Sequence, residues 1–473
     1  VRKLGNVCLL LLKKTSAPFS PFVTTKILNS PANFGIKSYW KFNNSLCMDK
    51  HFVDGMNDKI QELKNEWLPR IVNKLVFWDF LKMKMREYAM KYSREKAKLR
   101  KVERETLEIE IKDLENQLVA GPSKLIIDRI KLKKDELNKL HDFSRQGIRV
   151  RSRAAWFEEG ENNIQYFEQL MKVNKRKSVI RELYLESGEI TRDKNEILKR
   201  IKIFYEQLYS LRNDRDQNDG LFFNDILKLS EQNRELCEGK MTKDECFKVL
   251  KEMKWNKSPG NDGFSVEFYY TFWPILGDLL VEVLNETYVR GELTVSQKQG
   301  TITLIEKEGK DAMHIKNYRP ITLLNVDYKI LSKVLATRMK KVLIEIIHYD
   351  QVGYIQDRNI GEAVRLIEDI LFYSKNSMEQ GKGFLIAVDF EKAFDSVSHQ
   401  YLLKVLKLFG FGDSFCSWVK IIYNGISIMK GGYSTGYFNI ERGVRQGDPL
   451  PPYLFLVAIE LLAHEVRRDK IIK

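Results

Sequence analysis

The chain has little of what staples or anchors a protein. Its five cysteines, Cys8, Cys47, Cys237, Cys246 and Cys416, are odd in number, far apart and never in C-x-x-C spacing. That pattern excludes a disulfide framework and a cysteine zinc site, and it fits a reduced, intracellular setting. The apolar run Val7 to Leu12 falls far short of the ~20 residues of a membrane helix. It is also shorter than the apolar centre of a secretory signal, although Arg2 and Lys3 precede it. No internal repeat or low-complexity tract is present, and no Asp-Asp dipeptide occurs anywhere. The first residue is Val rather than Met, so the chain reads as part of a longer protein.

What is present is positive charge on an ordinary globular composition. The 473 residues leave room for two to three domains at about 150 residues each. Hydrophobic residues make up 43% and charged residues 30%, enough apolar surface for a sizeable core. The formal net charge is +15. A balance this basic favours an anionic partner, of which nucleic acid is the commonest large one. Charge alone leaves a basic protein with no polyanion partner equally open.

Residues 1–35 show no periodicity. From Asp54 the pattern is helical and charged, and Lys82 to Arg104 holds ten basic residues against three acidic ones. Leu107, Ile111, Leu114 and Leu118 form one apolar stripe. Gly121-Pro122 breaks it, and Ile126, Ile130, Leu137 and Leu140 resume it, which predicts an antiparallel helical hairpin. The basic run has two readings, a solvated spacer or a surface that tracks a phosphate backbone. Arg149, Arg151 and Arg153 interleave with Trp156, Phe157, Tyr166 and Phe167, a mixture suited to stacking and phosphate contact or to interdomain packing. Residues 176–300 read as mixed strands and helices. Within them Lys257 to Gly263 predicts a rigid turn, because Pro, Gly and Asn supply its backbone angles.

Two stretches carry chemistry. In Gly383 to Val397, the run Phe384 to Val388 predicts a buried strand closed by Asp389. An acid there is costly unless compensated, and a divalent cation compensates it with hard-oxygen ligation. Asp395 is expected to cap or turn the chain before the amphipathic stretch Tyr401 to Phe409. In Arg442 to Phe455, Gly443 and Gly447 permit a tight turn and close approach to a ligand. Asp448-Pro449 predicts a helix start, and Leu454 to Val466 the apolar helix. Gln446 stands on the loop between.

These stretches resemble motifs A and B of reverse transcriptases, with a close match to the non-LTR, LINE-type retrotransposon branch. Upstream, Asn317 to Leu324 resembles that family's NYRPISLL segment, and Gln351 to Ile355 with Arg358 its QxGF…R segment. Ser258-Pro259-Gly260 with Asp262-Gly263 and Phe272-Trp273 resembles the motif LINE-type enzymes add ahead of the fingers. Trp156-Phe157 with Gly160-Glu161-Asn162 and Tyr166-Phe167 resembles the family's linker. Tyr39 to Asn43 resembles the last strand of the endonuclease domain, across residues 36–46. The resemblance spans roughly 36–473, with seven motifs in the family's order.

The resemblance implies an α+β fold, a right-hand polymerase with fingers and a partial palm behind a helical linker hairpin. It implies RNA-directed DNA polymerisation by two-metal transfer, with RNA template, DNA primer and deoxynucleoside triphosphates as partners and no membrane. Asp389 and the Phe390 carbonyl would then bind two magnesium ions. Phe394 would exclude a 2′-hydroxyl, and Lys307 and Arg319 would hold the triphosphate. Gln446 and Gly447 would line the nucleotide pocket, while Gly353, Arg358 and Arg442 would face template and primer. The implied segments are an endonuclease remnant over 1–50, a basic helical linker over 51–175, an N-terminal extension over 176–300 and the polymerase proper over 301–473. Nucleus and cytoplasm are the implied compartments.

The chain also departs from that pattern. The family's aromatic-Ala-Asp-Asp motif C belongs downstream of motif B, and 25 residues follow Asp448 here without it. Glu306 replaces the usual Pro, Asp357 the usual Gly, and Pro451 the usual Ser. The expectation is therefore no polymerase activity from this chain by itself. A non-catalytic module that holds RNA or primer–template, and a poorly folding relic, are the competing readings.

Overall fold

Helices in this chain begin where short polar side chains can accept the first free backbone N–H groups. Asn73, Asp193, Ser265 and Ser398 each do so, and Thr242 and Thr294 form reciprocal capping boxes with Glu245 and Gln297. The computed structural model describes residues 40–121, 123–152, 169, 180–210, 226–376, 385–424, 427–430 and 438–469, without side chains for 143–152 and 427–430. Trp156 to Phe167, and with them the linker motif, lie outside the described residues.

The helices α1 (Lys50–Trp67), α2 (Lys74–Ala120) and α3 (Lys124–Ser152) come first. A short hairpin of β1 (Leu183–Tyr184) and β2 (Ile190–Thr191) leads into α4 (Lys194–Tyr209). Next come α5 (Glu231–Cys237), α6 (Lys243–Lys251), α7 (Val266–Thr271), α8 (Trp273–Arg290) and α9 (Val295–Lys298). Strands β3 (Gln299–Glu306) and β4 (Tyr318–Leu323) follow, then α10 (Val326–Ile346) and α11 (Ile360–Asn376). The chain closes with α12 (Ala393–Ser396), α13 (His399–Leu408), α14 (Asp413–Tyr423), β5 (Ser427–Lys430), β6 (Phe438–Asn439) and α15 (Pro451–Arg468). The fold is mostly helical. Its larger sheet runs β4-β3-β5-β6, with β3 antiparallel to β4 and parallel to β5.

One continuous core joins these elements. It takes Phe52 of α1, Trp78 of α2, Phe268 of α7, Leu280 of α8, Leu331 of α10, Trp418 of α14 and Leu454 of α15. Each such side chain contributes about 1.5–3 kcal/mol by leaving water. The predicted hairpin is present: α2 and α3 pack antiparallel through Leu107, Ile111 and Ile130, with Lys133–Glu110 at 3.0 Å and Lys134–Glu115 at 2.7 Å across it. Gly121 ends the first arm as expected.

Lys82, the first residue of the basic run, does not lie on a surface. Lys82 is buried, 2.8 Å from Asp327, 3.2 Å from Asp262 and 3.8 Å from Asp79. Burial works against the ammonium, but the three carboxylates outweigh it and hold its pKa above the usual range. Trp78 Nε1 donates to the same Asp327 at 2.8 Å. Farther out, Lys101–Glu105 and Arg104–Glu108 pair along the helix. The basic run is thus divided between a buried lock and a solvated arm.

Three expectations need correcting. Leu385 to Val388 forms no strand, and Leu385, Ile386 and Val388 are exposed; Phe384 lies outside the described residues. No described strand runs beside this segment, so among the described residues its backbone has no ladder to join. Trp40 to Leu46 is not a strand either: it is irregular and then a 3-10 helix, because Phe42 and Trp40 pack on Phe264 and Phe268. The helix expected to start at Asp448-Pro449, α15, begins slightly later. That helix starts at Pro451, whose ring suits the first helical turn, and Asp448 turns inward to Tyr328 and Ser332.

Candidate functional site

The loop 442–450 is laced to two other parts of the chain by its own backbone. Val444 N donates to Phe394 O at 2.7 Å and Gly443 N to Val397 O at 2.7 Å, while His399 Nε2 meets Gly443 O at 2.8 Å. On the other side, Thr322 N of β4 donates to Gln446 O at 2.8 Å. Both glycines are required for these approaches. Gly443 has φ +83°, and a Cβ there would lie 2.6 Å from Asp395 O. Gly447 has φ +105°, and its Cβ would lie 2.8 Å from Thr322 O. Gln446 and Gly447 are thereby set against the edge strand β4, and Phe394 is tied to the same loop through Val444.

At the centre lies Asp395, 2% exposed. Its Oδ1 accepts the Tyr209 hydroxyl at 2.8 Å and its Oδ2 accepts Gln446 Nε2 at 2.9 Å. Burial pushes its carboxyl up to about 6, although both donors and the nearby Lys392 and Lys307 favour the charge. The expected capping role is corrected: Ser398 caps α13, and the Asp395 carboxylate joins the site instead. Tyr209 ends α4, and the last carbonyls of that helix hold the loop. Leu208 O accepts Arg442 Nε at 2.8 Å, and Tyr209 O accepts Glu441 N at 3.0 Å and Arg442 N at 3.3 Å. A cation at a helix C-terminus is favoured by the partial negative charge of those carbonyls.

Arg445 and Asp448 form the floor. The Arg445 guanidinium is buried over the Tyr328 ring, 4.2 Å from its centroid and 3.9 Å from the Asp448 carboxylate. It makes no hydrogen bond with any described residue. Asp448 accepts the Tyr328 and Ser332 hydroxyls, which fixes the turn into α15.

The other named residues sit apart from this knot. Lys307, at the end of β3, donates to Lys316 O at 3.2 Å, and Arg319 points outward from β4, exposed. Arg358 gives its guanidinium to the end of α10, donating to Ile347 O at 3.0 Å, His348 O at 2.6 Å and Gln351 O at 2.7 Å. Gly353 lies in that same turn, half-buried. Asp357 there has φ +61°, which is why a glycine suits the position. Asp389 is exposed and Phe390 half-buried. Among the described residues no group of three His, Cys, Asp or Glu side chains converges on a cation position. One carboxylate and one carbonyl do not hold a pair of hard cations, so these donors do not complete a two-metal centre.

Sequence reading missed Asp395, Tyr209 and Arg445 as parts of one unit. Asp395 gave a usable signal, as an acid between aromatic Phe394 and a helix start. Tyr209 gave none, because it stands 186 positions away from Asp395.

Residues 305–472 match the family described as reverse transcriptase (RNA-dependent DNA polymerase). The chain is similar to a transposon TX1 uncharacterized 149 kDa protein of Xenopus laevis, 32% identical over 456 residues, covering 94% of this chain and 34% of that protein. It is also similar to the retrovirus-related Pol polyprotein of the type-1 retrotransposable element R2 of Popillia japonica, 29% identical over 216 residues, 44% of this chain and 28% of the other. A probable RNA-directed DNA polymerase from transposon BS of Drosophila melanogaster is 27% identical over 223 residues, 45% of this chain and 24% of the other. The chain thus spans about a third or less of each of these relatives. Reverse transcriptases have a fingers and palm fold, and they generally use divalent metal ions. Residues 305–472 are thus a reverse transcriptase domain, and the domain match and the non-LTR relatives together support a reverse transcriptase of the LINE type.

Proposed function

We propose that this chain supplies the fingers and the nucleotide-facing part of the palm of a LINE-type RNA-directed DNA polymerase, in a right-hand arrangement. Its partners are an RNA template, a DNA primer and deoxynucleoside triphosphates, and its working compartments are the nucleus and cytoplasm. The observation that carries this reading is the backbone bonding of loop 442–447 to Phe394 on one side, through Val444 N, and to strand β4 on the other, through Thr322 N to Gln446 O. Such a unit presents an aromatic ring, an amide and bare backbone to one ligand, the means by which a planar base and its sugar are held.

Lys307 and Arg319 on the adjoining strands are the proposed phosphate ligands, since cations stabilise a transferring phosphoryl group. Gly353, Arg358 and Arg442 are the proposed template and primer side. Magnesium, when bound, supplies neutralisation of the triphosphate and activation of the primer hydroxyl. Asp389 and the Phe390 carbonyl are this chain's proposed donors toward it. Alone they complete no cation cage among the described residues. The competing reading is a module that holds primer–template without chemistry.

Two assays separate the readings. Primer extension with magnesium is expected to give no product from this chain; product that disappears with Asp389→Ala would overturn the non-catalytic reading. Filter binding of an annealed RNA–DNA primer–template is expected to weaken steeply as salt rises, because phosphate contacts release counterions. A flat salt response would remove nucleic-acid binding altogether.

A further inference from the structure

The Gln446 side chain can present either its oxygen or its nitrogen to a ligand, and something must decide which. The Asp395 carboxylate can only accept hydrogen bonds, so it selects the Nε2 end at 2.9 Å. The Gln446 oxygen and second N–H are then left on the other side of the amide. Asp395 could itself rotate, but the Tyr209 hydroxyl holds its second oxygen at 2.8 Å. Tyr209 in turn is fixed three ways. It ends α4, it stacks on Phe438 with centroids 6.3 Å apart, and its carbonyl accepts from the backbone of Glu441 and Arg442. A buried carboxylate with two donors aimed at it is a rigid element, because breaking either bond would leave charge unsatisfied.

We infer that Tyr209 and Asp395 are positioning residues that orient the Gln446 amide toward the incoming nucleotide, so that helix α4 is part of the nucleotide site. This deepens the proposed function and rests on its nucleotide pocket. Neither residue needs to touch the nucleotide, and Tyr209 lies upstream of the residues that match the family, 305–472. The chain's upstream segment therefore acts on the chemistry through one hydroxyl. Loss of that hydroxyl frees the carboxylate, and loss of the carboxylate frees the amide to flip.

The test is a double-mutant cycle on the full chain. A dideoxy-terminated DNA primer annealed to RNA is bound first, and retention of the complementary labelled dNTP is measured with magnesium, beside binding of the primer–template alone. Gln446→Ala, Asp395→Leu and Tyr209→Phe are each expected to weaken the dNTP about five- to tenfold, the size of one hydrogen bond in a shielded site. The double variant Asp395→Leu/Gln446→Ala is expected to equal Gln446→Ala alone, because Asp395 acts only through that amide. Tyr209→Phe removes a single oxygen and guards against a folding artefact. Additive losses, or Asp395→Leu and Tyr209→Phe within twofold of wild type, would overturn the inference while leaving the proposed function in place. A loss confined to Asp395→Leu, with no effect of Gln446→Ala, would overturn it as well. Wild-type chain that binds primer–template and retains no dNTP removes the nucleotide pocket and this inference with it. Chain that binds no primer–template removes the proposed function itself.

Discussion

Asp389 and Asp395 stand six residues apart in one short stretch, yet their surroundings are opposite. The segment ending at Asp389 is exposed and irregular, with Leu385, Ile386 and Val388 in solvent. The segment beginning at Phe394 is clamped by loop 442–447, and its acid is nearly inaccessible. The difference is one of available partners. Backbone and side chains after Ala393 find a glycine loop, a helix end and a tyrosine, whereas those before Asp389 find no neighbouring strand among the described residues. A motif read as one unit is therefore two physical objects, and only the second is built by the tertiary contacts on hand.

The largest break in this comparison should come from Gly443→Ala. The new Cβ would meet Asp395 O at 2.6 Å in a left-handed backbone with φ +83°. We expect a loss of about 3 kcal/mol from backbone strain and overpacking together, read as a lowered urea midpoint. A change below about 0.5 kcal/mol, the range of ordinary surface substitutions, would show that the loop does not dock as described.

The second test is pH. Burial raises the Asp395 carboxyl from the ordinary carboxylate range to about 6, against the pull of Tyr209, Gln446, Lys392 and Lys307. An acid whose folded pKa is raised adds stability that is fully present below its unfolded value and is lost as pH rises through about 6. Asp395→Asn should remove that dependence, so the wild-type-minus-variant stability should fall by roughly 2–3 kcal/mol from pH 4 to pH 7. A constant difference across that window would mean that Asp395 is solvated.

A smaller effect should come from Asp357→Gly. The residue sits at φ +61°, so glycine should relieve strain and raise stability by about 0.5–1 kcal/mol in thermal melts. The smallest effects belong to the exposed half of the stretch. Ile386→Ser and Asp389→Ala should each change stability by less than about 0.5 kcal/mol. A loss of 2 kcal/mol or more at Ile386 would show that this segment is buried in solution, and it would erase the contrast with Asp395.

Much of the architecture was legible in the sequence because it depends on local pattern. The hairpin of α2 and α3 follows from a stripe at helical spacing with Gly121 at its break. The amphipathic α13 stops where Gly410 takes φ +85°, and the apolar α15 follows a Gly- and Pro-rich turn. Loop 442–450 was legible as a place of close backbone approach because its glycines are unusual in number. Lys82 was misread as part of a basic surface, because nothing in its own neighbourhood announces Asp262 and Asp327.

By itself the sequence determined the helical arms, the order of the family's motifs and the glycines that allow one loop to approach another. These are properties of periodicity and of single residues' backbone freedom, which local steric and solvation forces decide. Tertiary structure alone decided that Asp395 is buried and Asp389 exposed, that Arg358 closes a helix, and that a hydroxyl at Tyr209 reaches the site. Whether a charge is compensated depends on which groups the whole chain brings within hydrogen-bond distance, and no window of sequence contains those partners.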